Sequence, residues 1–88
     1  MDYPDAENFE TFSDVPDTFE GVAFIKLFKS YVWLKKNRVR HRIDGPAIIY
    51  RHDSVRFGDK YYFLNDKKLT EREFLVKTSK LAKALYGR

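Results

Sequence analysis

Cysteine is absent from this chain, and glycine and proline are scarce, with four and three copies. Without cysteine there is no disulfide, no thiol nucleophile and no sulfur-ligated zinc, which excludes a small secreted scaffold stapled by disulfides. The scattered glycines form no phosphate-cradling loop, and no serine stands in the glycine elbow of a hydrolase nucleophile. Long apolar runs are missing as well: none approaches the roughly 20 residues of a membrane-spanning helix. The opening Met1-Asp2-Tyr3-Pro4-Asp5 is acidic where a signal peptide would be positive, so a cytoplasmic protein with no membrane contact is expected.

Positive charge is missing from one part of the chain only. Residues 1–22 hold seven acids and neither Lys nor Arg, whereas residues 23–88 hold all 17 basic residues against six acids. Blocks of one sign commonly mark interaction segments. Two readings of this bipolar chain stay open: the acidic segment folds back on the basic body, or it reaches for a basic partner. With 88 residues, of which 43% are apolar, one core is affordable and two are not. The expected organisation is an acidic aromatic arm over residues 1–20 and one domain over residues 21–88.

Within the arm, Pro4 with Asp5 and Glu7 is suited to the first turn of a short helix that would set Phe9 and Phe12 on one face. Four aromatics, Tyr3, Phe9, Phe12 and Phe19, argue that the arm is ordered on the body or on a partner. From Gly21 the composition turns β-branched and aromatic. Strands are predicted at residues 22–28 and 31–34, a turn at Lys35-Lys36-Asn37, and a half-exposed strand over residues 38–42. A break follows at Asp44-Gly45-Pro46, then strands at residues 47–50 and 61–64, with Asn65-Asp66-Lys67-Lys68 closing the sheet. Thr70-x-x-Glu73 is a capping box, and Phe74, Thr78, Leu81 and Leu85 recur at helical spacing with Leu75 and Ala82 beside them. A helix over residues 71–86 is expected, with Gly87 as its C-terminal cap. The fold class is therefore α+β: an antiparallel hairpin sheet packed by one C-terminal helix, with the acidic N-terminal arm.

The string Trp33-Leu34-Lys35-Lys36-Asn37 followed by His41-Arg42-Ile43-Asp44-Gly45-Pro46-Ala47 resembles a repeat of small bacteriophage proteins, aromatic-Leu-Asn-Gly-Lys and then His-Arg-x-Asp-Gly-Pro-Ala. A partial second copy begins 30 residues on, where Tyr61, Phe63, Leu64 and Leu69 fall opposite Tyr31, Trp33, Leu34 and Val39. The resemblance covers residues 31–74 and implies a β-hairpin unit rather like a MORN repeat, in a phage accessory protein of the host cytoplasm. Lys36 or Asp66 stands where the repeat has its hairpin glycine. The acidic arm lies outside the resemblance.

His41 with Asp44 and His52 with Asp53 are the only pairs suited to acid/base or hard-metal chemistry, and their spacing matches no ligand motif. They read as turn residues, with Asp44 capping backbone amides. No catalytic residue, metal or cofactor is expected. Three binding functions remain. The first is inhibition of a host protein that has a basic groove, such as a defence or nucleic-acid enzyme, through Asp5, Glu7, Phe9, Glu10, Phe12, Asp14 and Asp17, the acids mimicking phosphates. The second is nucleic-acid binding by Arg38, Arg40, Arg42, Arg51 and Arg56, with Lys77, Lys80 and Lys83 on the helix and Trp33, Tyr61 or Tyr62 stacking bases. The third is a virion structural or assembly role.

Overall fold

The computed structural model describes residues 3–86, and side chains as far as residue 79. Seven strands form a mostly antiparallel sheet followed by one helix: β1 Glu7–Phe9, β2 Gly21–Ile25, β3 Ser30–Lys35, β4 Val39–Arg40, β5 Ile48–Tyr50, β6 Lys60–Leu64, β7 Lys67–Leu69 and α1 Glu71–Tyr86. The sheet order is β1-β2-β3-β5-β6-β7, with β4 pairing the far half of β3. The α+β class and the helix limits agree with expectation. Thr70 holds both halves of its capping box, accepting from the Glu73 backbone N–H at 3.1 Å while its own N–H donates to the Glu73 carboxylate at 2.9 Å.

Strand register sorts the side chains between two faces, because opposed residues of an antiparallel pair point the same way. One face carries Ala23, Ile25, Val32, Leu34, Ile48, Tyr50, Tyr61 and Phe63; the other carries Phe24, Tyr31, Trp33, Ile49, Tyr62 and Leu69. Each face is covered at a different end. Residues of the N-terminal segment lie over the first, where Val15, 1% exposed, joins Ala23, Ile25, Val32 and Leu34, with Phe9, Phe12 and Phe19 packed around them. Helix α1 covers the second, where Phe74 lies 4.7 Å from the Tyr62 ring and Leu69 completes a smaller cluster.

The short helix expected near Pro4 is not formed. Residues 7–9 instead add β1 in parallel to β2, and a single 3-10 turn covers Phe12–Asp14. The cause lies outside the segment: β2 offers an open edge, and Phe9 gains an edge-on contact with Phe19 at 5.3 Å when it points to the Ile25 face. Tyr3 is tied down as well, stacked on Tyr31 at 5.2 Å and accepting from the His52 backbone N–H at 2.8 Å. From this segment Val15 joins the core cluster, and Phe9, Phe12 and Phe19 pack against it.

Two further expectations change. The strand predicted over residues 22–28 ends at Ile25, and residues 26–29 turn, with Lys29 at a φ of 51°. Asn65-Asp66-Lys67-Lys68 does not close the sheet: Asn65 and Asp66 alone form the turn, at φ of 50° and 68°, and Lys67 starts β7. Positive φ at both central residues is the hairpin-matching primed geometry, which asparagine and aspartate tolerate better than other side chains. The β3–β4 hairpin does the same with Asn37 and Arg38, at φ of 65° and 56°.

The Asp-Gly-Pro-Ala string owes its pattern to Arg42 rather than to backbone capping. Its guanidinium lies 3.9 Å from the Trp33 ring centroid and donates to Asp44 at 2.8 Å and to the Pro46 carbonyl at 3.1 Å. A Cβ at position 45 would stand 3.0 Å from the Arg42 guanidinium carbon, so glycine leaves the room for this crossing. Ala47 is fully buried and exchanges backbone bonds with both neighbours, donating to Tyr61 and accepting from Trp33 at 2.9 Å each. Asp44 therefore serves the arginine, which holds its carboxyl below the ordinary carboxylate value.

Candidate nucleic-acid interface

The acidic and basic residues singled out in the sequence divide into those used up by the fold and those left open. Phe9 and Phe12 are half-buried and pack against the core cluster of Val15, Ala23, Ile25, Val32 and Leu34. Asp14 accepts from the Thr11 backbone N–H and hydroxyl at 3.0 Å. Glu10 pairs with Lys26 at 3.3 Å, Asp17 with Arg38 at 3.2 Å and Glu20 with Lys36 at 3.8 Å, so half-neutralised charge runs along the seam between the N-terminal segment and the sheet. Arg38 is further fixed by donating to the Val15 carbonyl at 2.8 Å. Asp5 and Glu7 form no ion pair among the described residues.

The five arginines do not make one surface. β4 ends at Arg40, and His41 and Arg42 follow it outside any strand, so the strand period does not hold Arg42 on the face of Arg40 and the two part company. Arg42 lies over Trp33, and Arg51 lies 4.6 Å from the Phe24 centroid while gripping Asp53 with two bonds of 2.7 and 2.8 Å. Both stay with the second face. Tyr62, named as a base-stacking residue, is buried against Phe74, and Trp33 is capped by Arg42. Lys77 is exposed on α1; the side chains of Lys80 and Lys83 lie outside the described set.

Arg40 and Arg56 come to one cavity on the first face, beside the part covered by the N-terminal segment, whose Phe12 lines a neighbouring cavity with Arg40, Ile48 and Tyr50. The cavity shared by the two arginines is open, has a volume of about 500 Å³ and is lined by Arg40, Ile48, Tyr50, Arg56, Tyr61, Phe63, Asp66 and Lys68. β5, β6 and β7 lie side by side beneath it, which brings Tyr50, Tyr61 and Lys68 to one side of the sheet. Arg40 arrives from β4, its guanidinium 4.2 Å from the Phe63 centroid and its Nε 2.7 Å from Asp66. Arg56 comes from the β5–β6 connection, donating to the Tyr61 hydroxyl at 2.6 Å and to Asp59 at 3.4 Å. Lys68 Nζ sits 4.5 Å above the Tyr61 ring. Arg40 holds the Asp66 carboxyl below its ordinary value, and burial raises the Tyr50 hydroxyl, so that ring enters any complex as a neutral phenol.

No protein-family model, curated protein or solved structure matches this chain. Three cations within one cavity, interleaved with two half-exposed tyrosines, form the combination that binds phosphates and unstacked bases together. Sequence reading had named Arg40, Arg56 and Tyr61 but missed Tyr50, Phe63 and Lys68. The signal for them was the period-two alternation of β5, β6 and β7, which assigns them to one face once the register is known.

The histidines do not build a site. His41 Nδ1 accepts from the Asn65 backbone N–H at 2.9 Å, which joins the two hairpins, and His52 stacks on Tyr3. Among the described residues no three His, Asp or Glu side chains converge in a metal-binding group, and no helix is long and apolar enough to cross a membrane.

Proposed function

We propose that this protein is a non-enzymatic nucleic-acid-binding module that takes its ligand on the open face of β5, β6 and β7. The observation that carries this reading is the gathering of Arg40, Arg56 and Lys68 around Tyr50 and Tyr61 in one cavity. The acidic segment, which would otherwise repel nucleic acid, has three of its acids paired with Lys26, Arg38 and Lys36. Binding should be measured as fluorescence anisotropy of a labelled oligonucleotide across a salt series. Replacing Arg40, Arg56 and Lys68 together by Ala should lower affinity at least about tenfold and flatten the salt slope by roughly 3. Absence of binding at low salt, or a triple variant that binds like the parent, overturns the reading.

One observation favours a second reading, inhibition of a host protein through the acidic segment. Asp5 and Glu7 form no ion pair among the described residues, and β1, which Glu7 opens, is an edge strand whose outer side is suited to strand addition. A partner with a basic groove would then be lost from host-lysate pull-downs when Asp5 and Glu7 are both changed to Lys, and retained when Arg40, Arg56 and Lys68 are changed to Ala. The opposite pattern removes this reading.

A further inference from the structure

On the reading that this face binds nucleic acid, we infer that the ligand is a single strand, its bases against Tyr50 and Tyr61 and its phosphates in the places now held by the Asp66 and Asp59 carboxylates. Two features of the cavity lead there.

The first is the disposition of the rings. Tyr50 and Tyr61 sit 6.4 Å apart with their planes at 81°. In a duplex every base face is covered by its neighbours in a parallel stack, so no base within an intact duplex can lie flat on either ring. A single strand has splayed bases whose planes turn independently, and two successive bases can follow two rings set nearly at right angles. Aromatic contact is thus available only to the unpaired ligand.

The second is what already occupies the cations. Asp66 accepts from Arg40 through both the backbone N–H, at 3.2 Å, and Nε, at 2.7 Å; Asp59 receives Arg56 Nε at 3.4 Å. A carboxylate and a phosphate offer an arginine the same pair of anionic oxygens. The two acids therefore stand in for backbone phosphates in the unbound protein and compete with them. Lys68, which lies over Tyr61, has a flexible stem that lets its ammonium swing out to a phosphate as a base takes its place on the ring.

The test uses the full chain with a labelled 12-nucleotide single strand and the same sequence as a duplex, at one salt concentration. The single strand should bind at least about tenfold tighter, and Tyr61→Ala should remove roughly that advantage by weakening the single strand more than the duplex. Tyr61→Phe keeps the ring and should keep the preference, which separates stacking from folding; unchanged melting temperatures check the latter directly. Asp66→Asn keeps a residue that tolerates the left-handed turn and removes the competing charge, so it should tighten binding several-fold. Equal affinity for the two ligands, still lost on replacing the three cations, overturns this inference and leaves nucleic-acid binding standing. An Asp66→Asn variant that binds no tighter than the parent removes the stand-in role of the carboxylates. Failure to bind either ligand removes both proposals.

Discussion

Val15→Ala tests whether residues 1–20 are an appended arm or part of the folding unit. Val15 ends the 3-10 turn of Phe12–Asp14 and precedes Pro16, outside any strand, yet it is 1% exposed and packs on Ala23, Ile25, Val32 and Leu34. The substitution removes two methyl-sized groups, worth about 0.8 kcal/mol each in transfer, and a cavity term of similar order adds to them, so a loss of about 2–3 kcal/mol is expected. For a domain of this size that corresponds to a fall in Tm of very roughly 8–20 °C. Thermal melts followed by circular dichroism and urea melts with an unchanged m value should agree on it. Deleting residues 1–20 should go further and abolish the cooperative transition, because it strips one face of the sheet. A Val15→Ala protein that melts within about 2 °C of the parent would show that the segment does not contribute its core, and the placement described above would be wrong.

Thr70→Ala removes one half of the capping box of α1 and should destabilise by about 1 kcal/mol in urea, with Thr70→Ser restoring most of it; no loss would mean that the cap is not formed. Burial, and then the charge of Lys35, lower the His41 pKa from its ordinary 6.5, and Nδ1 must stay unprotonated to accept from Asn65. The folded state then binds its proton less readily than the unfolded chain, so the stability from His41 is complete above pH 6.5 and is lost as the pH falls below it. Urea midpoints of the parent and of His41→Gln across this window should converge on acidification, and parallel pH profiles would refute the assignment.

Local signals were legible where the chain specifies its own neighbour contacts. The Thr70-x-x-Glu73 box and the helical spacing after it placed α1 at residues 71–86, as observed. Strands β3, β5 and β6 fell within one residue or so of their predicted positions, because alternating β-branched and aromatic residues between turn formers read locally. On the helix Phe74 is buried and Thr78 half-buried as the stripe requires, while Leu75, set beside that stripe, is exposed where α1 packs on β6 and β7. The side chains of Leu81 and Leu85, expected on the buried stripe, lie outside the described set, as does Gly87, expected as the cap.

By itself, then, the sequence determined the class of fold, the one helix with its cap, the hairpin strands and the separation of charge into an acidic and a basic block. These follow from propensity, period and neighbours a few residues apart. Only the tertiary structure decided that Val15 joins the core with Phe9 and Phe12 packed against it, and that the acids beside them pair with Lys26, Arg38 and Lys36. It alone decided, too, that Arg40 and Arg56 share an open face with Tyr50, Tyr61 and Lys68 while Arg42 and Arg51 cap aromatics on the other. The physical reason is that β1 takes its conformation from the edge of β2, and that which sheet face stays open depends on where the N-terminal segment and α1 come to rest. Both are contacts between residues far apart in the chain, and no local pattern encodes them.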